Sequence, residues 1–286
     1  MKHGELGRQT RPTNRMLFLL LLPLTLLWAS CEAFPTDQLI IDLTHSASEK
    51  RRKAAYRLVD QGEKAVPPLL EAMSTGSDTL RYIGAQVLGR IGSPRALQML
   101  LNLSHDENLH VQREAILSLS KIHVPTLIDT VKQILNQSPQ SELRAAAAES
   151  IAGFRDTSAS GPLIKALEDS AVLVRQSAIA SVNRIWTDQS IDGVIRSMDD
   201  EDEKVRYIAT QIAAIRRIEA ASSKLRDALY DPSPWVRIEA IRGVLALADT
   251  SAVDGLVNIL KYGEEEEVAA AQEALRSLTG IDYVVE

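Results

Sequence analysis

Cysteine is almost absent from this chain of 286 residues, which contains only Cys31. An internal disulfide is therefore excluded, because it needs two thiols. The chain must hold its fold through packing alone, whatever the redox state of its compartment. The one thiol stands directly after a leucine-rich run near the N-terminus, so its position needs a separate explanation.

Aromatic residues and basic runs are also scarce. Phe, Trp and Tyr make up 4% of the residues and hydrophobic residues 45%, which favours a helical protein with a core of Ala, Leu, Ile and Val. Acidic residues outnumber basic ones by 38 to 32, and without its first thirty residues the chain has a net charge of −9. Proteins that bind phosphate backbones carry a basic patch or stripe. The composition therefore argues against nucleic acid as a partner.

The first thirty residues have the layout of a signal peptide. Positively charged residues come first, and an apolar run follows at 16–28. This run is shorter than the roughly 17–25 residues that a membrane-spanning helix needs. We therefore predict a signal peptide at 1–30, a short tether at 31–35 and an exported protein.

Small residues precede the cysteine in Ala29-Ser30-Cys31. This ending resembles the signal of a bacterial lipoprotein, whose cysteine is diacylated and becomes the mature N-terminus. The resemblance implies a lipid anchor at Cys31, which would hold the protein on the periplasmic side of the cell membrane or the outer membrane. The alternative is ordinary signal cleavage, which would leave the protein free in the periplasm.

A segment of about 31 residues recurs along the rest of the chain. Aligned on T-L-R-Y-I-G-A, L-V-R-Q-S-A-I, K-V-R-Y-I-A-T and W-V-R-I-E-A-I, the copies share a column of arginines. The members of this column are Arg52, Arg81, Arg144, Arg175, Arg206 and Arg237. Gln112 takes the position in one copy and Val268 in the last. A period of this length indicates a solenoid of stacked helical units.

Two further columns support this alignment. Three residues after the arginine stands a small residue, Ala55 in the first copy and Gly84 in the second, as expected where helices pack closely. Six residues before the arginine stands an aspartate, which we expect to cap the second helix of its unit. The aspartates of this column are Asp106, Asp169, Asp200 and Asp231.

The repeat pattern predicts an all-α protein, an α-solenoid of about eight helix-turn-helix units at 36–280, followed by a tail at 281–286. No segment has the pattern of a strand, and no Gly/Ser-rich linker divides the array. Altered spacing in the second to fourth copies, together with Gln112, predicts a local change of curvature there.

Two stretches, D-S-A-V-L-V-R-Q-S-A and D-P-S-P-W-V-R-I-E-A, resemble the HEAT-like repeats first associated with phycobilisome lyases. The final A-L-R-S-L-T-G-I-D-Y resembles the closing repeat of many bacterial proteins of that kind. The resemblance covers nearly all of the chain after the signal peptide, and it implies a ladder of bonds between adjacent repeats. The residues joined would be Asp169, Asp200 and Asp231 with Arg175, Arg206 and Arg237.

Motifs for catalysis or cofactor binding are missing from the sequence. None of the five histidines is followed by glutamate, as an H-E-x-x-H zinc site requires. There is no G-x-S-x-G motif for a nucleophile, and the glycines are scattered singly rather than grouped in a phosphate-binding loop. We therefore predict no metal, no cofactor and no enzymatic activity.

Two acidic runs, D-D-E-D-E at 199–203 and E-E-E-E at 264–267, fall in turns between paired helices. Most of this charge is typical of helix N-termini and of a soluble surface, but it also predicts an edge that suits a basic partner. Aromatic residues beside the arginine column are of the kind favoured in binding hot spots. The predicted partner-binding residues are Tyr207, Trp235, Asp199, Asp202 and Glu265.

Stacked helix pairs expose long surfaces and have no enclosed pocket by default, so their expected activity is to hold another macromolecule. We therefore predict a non-enzymatic, protein-binding scaffold of the bacterial cell envelope, anchored through Cys31. The competing hypothesis is a soluble exported enzyme or metal-dependent assembly factor built on the same solenoid. Iron or zinc that stays bound through dialysis would favour the competing hypothesis.

Overall fold

The computed structural model describes residues 35–122 and 124–283, and all regular secondary structure in these ranges is helical. The sixteen α-helices described form eight consecutive pairs, which we call repeats 1 to 8. The predicted all-α solenoid of about eight units is confirmed. The predicted signal peptide at 1–30, the lipidation residue Cys31 and His123 lie outside the described residues.

Each repeat has a first helix with an odd number and a second helix with an even number. The first helices are α1 (Thr36–Asp42), α3 (Val66–Ser74), α5 (Leu97–Leu103), α7 (Leu127–Gln137), α9 (Ser160–Ala166), α11 (Ile191–Ser197), α13 (Ser222–Ala228) and α15 (Val253–Tyr262). The second helices are α2 (Ser48–Gln61), α4 (Asp78–Ile91), α6 (Leu109–Leu119), α8 (Ser141–Phe154), α10 (Val172–Arg184), α12 (Glu203–Ile215), α14 (Pro234–Ala246) and α16 (Glu265–Thr279). Of the helices described, none is long and apolar enough to cross a membrane.

Short 3₁₀ turns connect most repeats and lead into the next first helix. These turns are Gly62–Lys64, Pro94–Ala96, Thr157–Ala159, Asp188–Ser190, Glu219–Ala221 and Thr250–Ala252. Aspartate side chains hold two of them, because Asp156 accepts the N–H of Ser158 at 2.8 Å and Asp249 accepts the N–H of Ser251 at 3.0 Å. Tight connections of this kind keep neighbouring repeats in contact.

Each second helix packs against the second helices of its neighbours, from α2 to α16. We call the side of the solenoid formed by these helices the second-helix surface. Each second helix also carries a buried column of small residues; at Gly84 of α4 a methyl group would collide with the sulfur of Met73 in α3, the first helix of the same repeat. The members of the column are Ala54, Gly84, Ala115, Ala147, Ala178, Ala209, Ala240 and Ala271. In repeat 1 the member is Ala54 rather than the predicted Ala55.

Buried apolar residues form two clusters that meet inside repeat 3. One cluster runs from Leu39 to Leu127 and the other from Ile116 to Leu275. Helix α6 contributes to both, since its Ala115 belongs to the first cluster and its Ile116 to the second. The core of the solenoid is therefore divided at α6.

The aspartate column does not cap the second helices, so that prediction is wrong. Asp169 accepts the backbone N–H of Ala171, two residues later, at 2.9 Å, and the other three aspartates do the same. This arrangement is an Asx turn, which shapes the loop before the helix. The N-cap itself lies two positions further on, as at α12, where Asp202 accepts the N–H of Val205 at 3.0 Å.

Candidate functional site

A ladder of charged bonds joins neighbouring repeats along one edge of the solenoid. In each rung the Nε and Nη2 atoms of an arginine donate to both oxygens of an aspartate in the following repeat, at 2.7–3.1 Å. Paired bonds of this kind are both stronger and more specific in geometry than a single one. The rungs are Arg81–Asp106, Arg144–Asp169, Arg175–Asp200 and Arg206–Asp231.

Each arginine of the ladder also ties down its own repeat. The Nη1 atom of Arg175 donates to the backbone carbonyl of Asp169 at 2.9 Å, while the carboxylate of Asp169 receives Arg144. Arg206 binds the carbonyl of Asp200 in the same way, at 3.0 Å. Each of these aspartates therefore receives two arginines, and the bonds run without a gap from repeat 4 to repeat 7. The bond from Arg144 lowers the pKa of Asp169 below its ordinary value, because the guanidinium favours the charged carboxylate.

Repeat 1 departs from the prediction, because Arg51 rather than Arg52 takes the arginine position. The Nη1 atom of Arg51 donates to the carbonyls of His45 and Ser46, both at 2.7 Å, which matches the bonds of the other ladder arginines to their own turns. Arg52 is exposed and lies outside the ladder. The two arginines are adjacent in the sequence, and so are the candidate alanines three residues later. The repeat pattern alone therefore could not show which of the two arginines takes the position.

A rung is missing between repeats 3 and 4, because both of its members are replaced. Gln112 stands at the arginine position, and its side-chain amide donates to the carbonyl of Asp106 in its own turn. Ser138 stands at the aspartate position, where its carbonyl accepts Arg144 at 3.0 Å. Gln112 and Ser138 line a groove of about 490 Å³ between the two repeats. The gap lies next to α6, where the core is also divided.

The last rung uses a glutamate that the sequence analysis missed. Arg237 donates to both oxygens of Glu267 at 2.5 and 2.9 Å, and Glu267 also accepts the N–H of Glu264 at 2.9 Å. Glu267 is 1% exposed although it belongs to the run E-E-E-E. Its reciprocal bonds with Glu264 form a capping box at the start of α16. The E-x-x-E spacing at a helix start was the available sequence signal.

An open groove on the second-helix surface brings together three of the predicted partner-binding residues. Tyr207, Trp235 and Asp202 line it with Glu203 and Lys204, and its volume is about 410 Å³. The Trp235 side chain, in the first turn of α14, is 58% exposed. A tryptophan exposed to this extent beside a second aromatic ring has the character of a binding hot spot.

A chain of hydrogen bonds fixes the tyrosine of this groove. Gln211, one turn further along α12, donates to the Tyr207 hydroxyl at 3.0 Å and to the Glu239 carboxylate of the next repeat at 3.3 Å. Glu239 is 3% exposed and also accepts Arg242 at 2.7 Å. The tyrosine ring is therefore held in place before any partner arrives. The sequence predictions did not include this chain of bonds, although Tyr and Gln at i and i+4 were its visible signal.

One protein-family model matches this chain four times, over overlapping ranges. The family described as HEAT repeats matches residues 36–120, 66–152, 128–214 and 191–276, which together cover most of the chain. The chain belongs to the HEAT-repeat family. No curated protein matches this HEAT-repeat chain in sequence.

Solved structures with a similar fold come from several organisms. YibA of Escherichia coli has a TM-score of 0.65 and 22% identity, with 94% of this chain and 99% of YibA covered. Human deoxyhypusine hydroxylase has a TM-score of 0.38 and 19% identity, with 86% of this chain and 96% of that chain covered. The CpcE and CpcF complex of phycocyanin lyase from Nostoc has a TM-score of 0.43 and 18% identity, with 85% and 94% covered. At these identities the likeness concerns the fold alone.

The prediction that the chain is not an enzyme is wrong as an inference from the fold. Two of the proteins with a similar fold, deoxyhypusine hydroxylase and phycocyanin lyase, are enzymes. Among residues 35–122 and 124–283, no three His, Cys, Asp or Glu side chains are grouped so that they could hold a metal ion.

The other predicted partner-binding residues lie away from the groove of this HEAT-repeat solenoid. Asp199 pairs with Lys224 of repeat 7 at 2.5 Å, and Glu265 is an exposed residue in the first turn of α16. Much of the acidic charge is taken up inside the protein, since Asp200 and Glu201 both accept Arg175. The acidic edge is therefore mainly a structural feature of the ladder, and the groove at Trp235 is the better candidate for a functional site.

Proposed function

We propose that this HEAT-repeat protein is a scaffold that holds another protein through the groove at Trp235. The observation that carries the proposal is that the exposed Trp235 indole and the fixed ring of Tyr207 line one groove on the second-helix surface. Large, rigid aromatic side chains contribute much of the binding energy at protein interfaces while losing little conformational entropy. The continuous ladder through repeats 4 to 8 supports this role, because it holds the groove on a stiff frame.

The proposal includes a location in the bacterial cell envelope. Ala29-Ser30-Cys31 is the feature that supports it, through its resemblance to a lipoprotein signal. Only the residues from Glu32 to Pro35 stand between Cys31 and the start of α1 at Thr36. At about 3.3–3.6 Å per extended residue, this tether would hold repeat 1 close to the membrane. Two acyl chains on the cysteine would be enough for stable attachment.

Photo-cross-linking tests the binding role directly. A photoreactive amino acid is placed at Trp235 in the full chain, in the cells from which the protein comes. The control is the same substitution at Tyr262, an aromatic residue that is 81% exposed at the end of the first helix α15. We expect a discrete adduct from position 235 and none from position 262. Identical adducts at both positions, or none at either, would contradict the proposal.

Membrane fractionation tests the location separately. We expect the full chain to sediment with membranes and to carry a diacylglyceryl-sized mass on its Cys31 peptide. Cys31→Ser should lose both properties. If the unchanged chain is found in the soluble fraction with an unmodified N-terminus, the anchor is refuted while the binding role can still stand.

A further inference from the structure

The groove at Trp235 carries two carboxylates, Asp202 and Glu203, that form no salt bridge within the described residues, and Arg206 acts on Glu203 only at longer range. The Asp202 carboxylate accepts the N–H of Val205 at 3.0 Å and the Gln176 amide at 2.9 Å. The Glu203 carboxylate accepts the Ser233 hydroxyl at 2.7 Å. All of these donors are neutral, and within the described part of the chain neither carboxylate forms an ion pair. Both carboxylates are therefore fixed in position by neutral donors, and no cation is bonded to either of them in the described residues.

The aromatic side of the groove suits a cation as well. Tryptophan binds cations on its ring face better than the other aromatic residues do, and tyrosine follows. The same chemistry occurs elsewhere in this chain, where the guanidinium of Arg216 lies 4.3 Å from the centre of the Trp186 ring. At Trp235 the indole has no such internal partner in the described residues, and it stands 58% exposed.

A second groove, lined by residues 125 positions earlier in the chain, has a related arrangement but includes an arginine in its lining. Tyr82, Gln86 and Glu114 repeat the hydrogen-bond chain of Tyr207, at 3.0 and 3.2 Å. There, however, a histidine takes the place of the tryptophan, and the lining of the groove of about 380 Å³ includes Arg113. The acidic residue at that groove, Asp78, is already paired with Arg81 at 2.8 Å. This second groove, between repeats 2 and 3, is therefore a matched control for the groove at Trp235.

We propose that the groove lined by Trp235 and Tyr207 receives a lysine or arginine side chain from the partner protein. The proposal rests on the scaffold function stated above and adds the chemistry of the residue that is recognised. The cation would lie against the indole of Trp235 and within reach of the carboxylates of Asp202 and Glu203. Lys204 lines the same groove, and its ammonium competes with the incoming cation.

Small probes test this recognition without the unknown partner. The full chain is titrated with the N-acetyl amides of lysine, arginine and norleucine, and binding is followed by the NMR signal of the Trp235 indole N–H. We expect saturable shifts with lysine and arginine, and none with norleucine, which has a similar length but no charge. Asp202→Asn with Glu203→Gln should weaken lysine binding by about fivefold, because two exposed charge pairs are lost. These substitutions keep the hydrogen-bond acceptors for Val205 and Ser233, so the fold is preserved.

Two further variants complete the test. Lys204→Ala should strengthen binding of the lysine probe, and His110→Ala, in the control groove, should leave it unchanged. Equal shifts with norleucine and lysine, or full lysine binding by the Asp202→Asn and Glu203→Gln variant, would overturn the inference. If a partner is still cross-linked at position 235 in that case, the scaffold function stands and only the recognition of a lysine or arginine side chain is refuted. Absence of any cross-linked partner would instead count against the scaffold function itself.

Discussion

Arg175 and Asp200 meet side by side across the boundary between repeats 5 and 6, through two parallel bonds of 2.7 and 2.9 Å. Each side chain is only 9% exposed. Asp200 depends on this pair, since without Arg175 its carboxylate would be a buried, unpaired charge, whereas Arg175 also binds Glu201 at 2.9 Å. The ladder therefore fixes how the repeats stack, and it makes each rung sensitive to the loss of one member.

Arg175→Ala should destabilise the protein by about 3 kcal/mol, because Asp200 loses its partner and the carbonyl of Asp169 loses a donor. Urea unfolding followed by circular dichroism measures the change. Arg52→Ala is the control and should stay within about 0.5 kcal/mol of the unchanged protein, as expected for an exposed residue outside the ladder. Equal stability of the two variants would show that the ladder does not hold the repeats together.

Completing the missing rung should stabilise the boundary between repeats 3 and 4. Gln112→Arg and Ser138→Asp together place a guanidinium and a carboxylate on opposite sides of the groove of about 490 Å³. Neither change alone can form the pair, so a double-mutant cycle should give a coupling energy of roughly 1 kcal/mol. A coupling energy of zero would mean that the two positions do not face each other as the other rungs do.

The contribution of Asp169 to the free energy of unfolding should depend on pH and be lost in acid. Its pKa in the folded protein is lowered, mainly by the hydrogen bond from Arg144, from an ordinary value of 3.8. The folded state therefore binds the proton less readily than the unfolded state, so this contribution is full above the ordinary pKa and is lost as the pH falls through the lowered one. The difference in unfolding free energy between the protein and Asp169→Asn should be constant above about pH 5 and shrink below about pH 4. A difference that persists unchanged in acid would contradict the lowered pKa.

Glu114 should show the opposite dependence. Burial is the main cause that raises its pKa, and the side chain is 6% exposed with one bond from Gln86 at 3.2 Å. The folded state then binds the proton more readily, so stability falls as the pH rises from the ordinary value of 4.5 through the raised pKa. Glu114→Gln should make the protein more stable at neutral pH, and the gain should vanish in acid.

The equivalent change in repeat 7 is the control for this prediction. Glu239 is as deeply buried as Glu114, but Arg242 compensates its charge at 2.7 Å. Glu239→Gln should therefore give no gain at neutral pH. A similar gain in both variants would show that Arg242 does not compensate the buried charge of Glu239, and no gain for Glu114→Gln at neutral pH would contradict the cost assigned to burial of Glu114.

The repeat period predicts the fold because stacking places the same demand on every unit. Where helices pack as closely as α4 does against Met73 at Gly84, the position must hold a small residue, and this requirement is visible in a single sequence. In repeat 1 the period leads to a position that is wrong by one residue, because Arg51 and Arg52 are adjacent and only the three-dimensional register distinguishes them. The helix caps could not be predicted from the aspartate column either, because an Asx turn and an N-cap use the same residue type.

The candidate site could be predicted only in part. Tyr207, Trp235 and Asp202 were visible as unusual residues beside the arginine column, and the structure brings these three together. Asp199 and Glu265 were included on charge alone, yet charge does not reveal whether a carboxylate faces a partner or an internal cation. Glu267 shows the same difficulty, since a run of four glutamates does not disclose that the last one is buried against Arg237.

The most direct test of the scaffold function is the affinity of the cross-linked partner for the purified protein. Trp235→Ala should weaken this affinity by about 2 kcal/mol or more, as expected for a central hot-spot residue. Tyr262→Ala removes a more exposed aromatic ring, at the end of the first helix α15, and should leave the affinity unchanged. An unchanged Kd for Trp235→Ala in calorimetry would contradict the account, because the partner would then be held elsewhere on the solenoid.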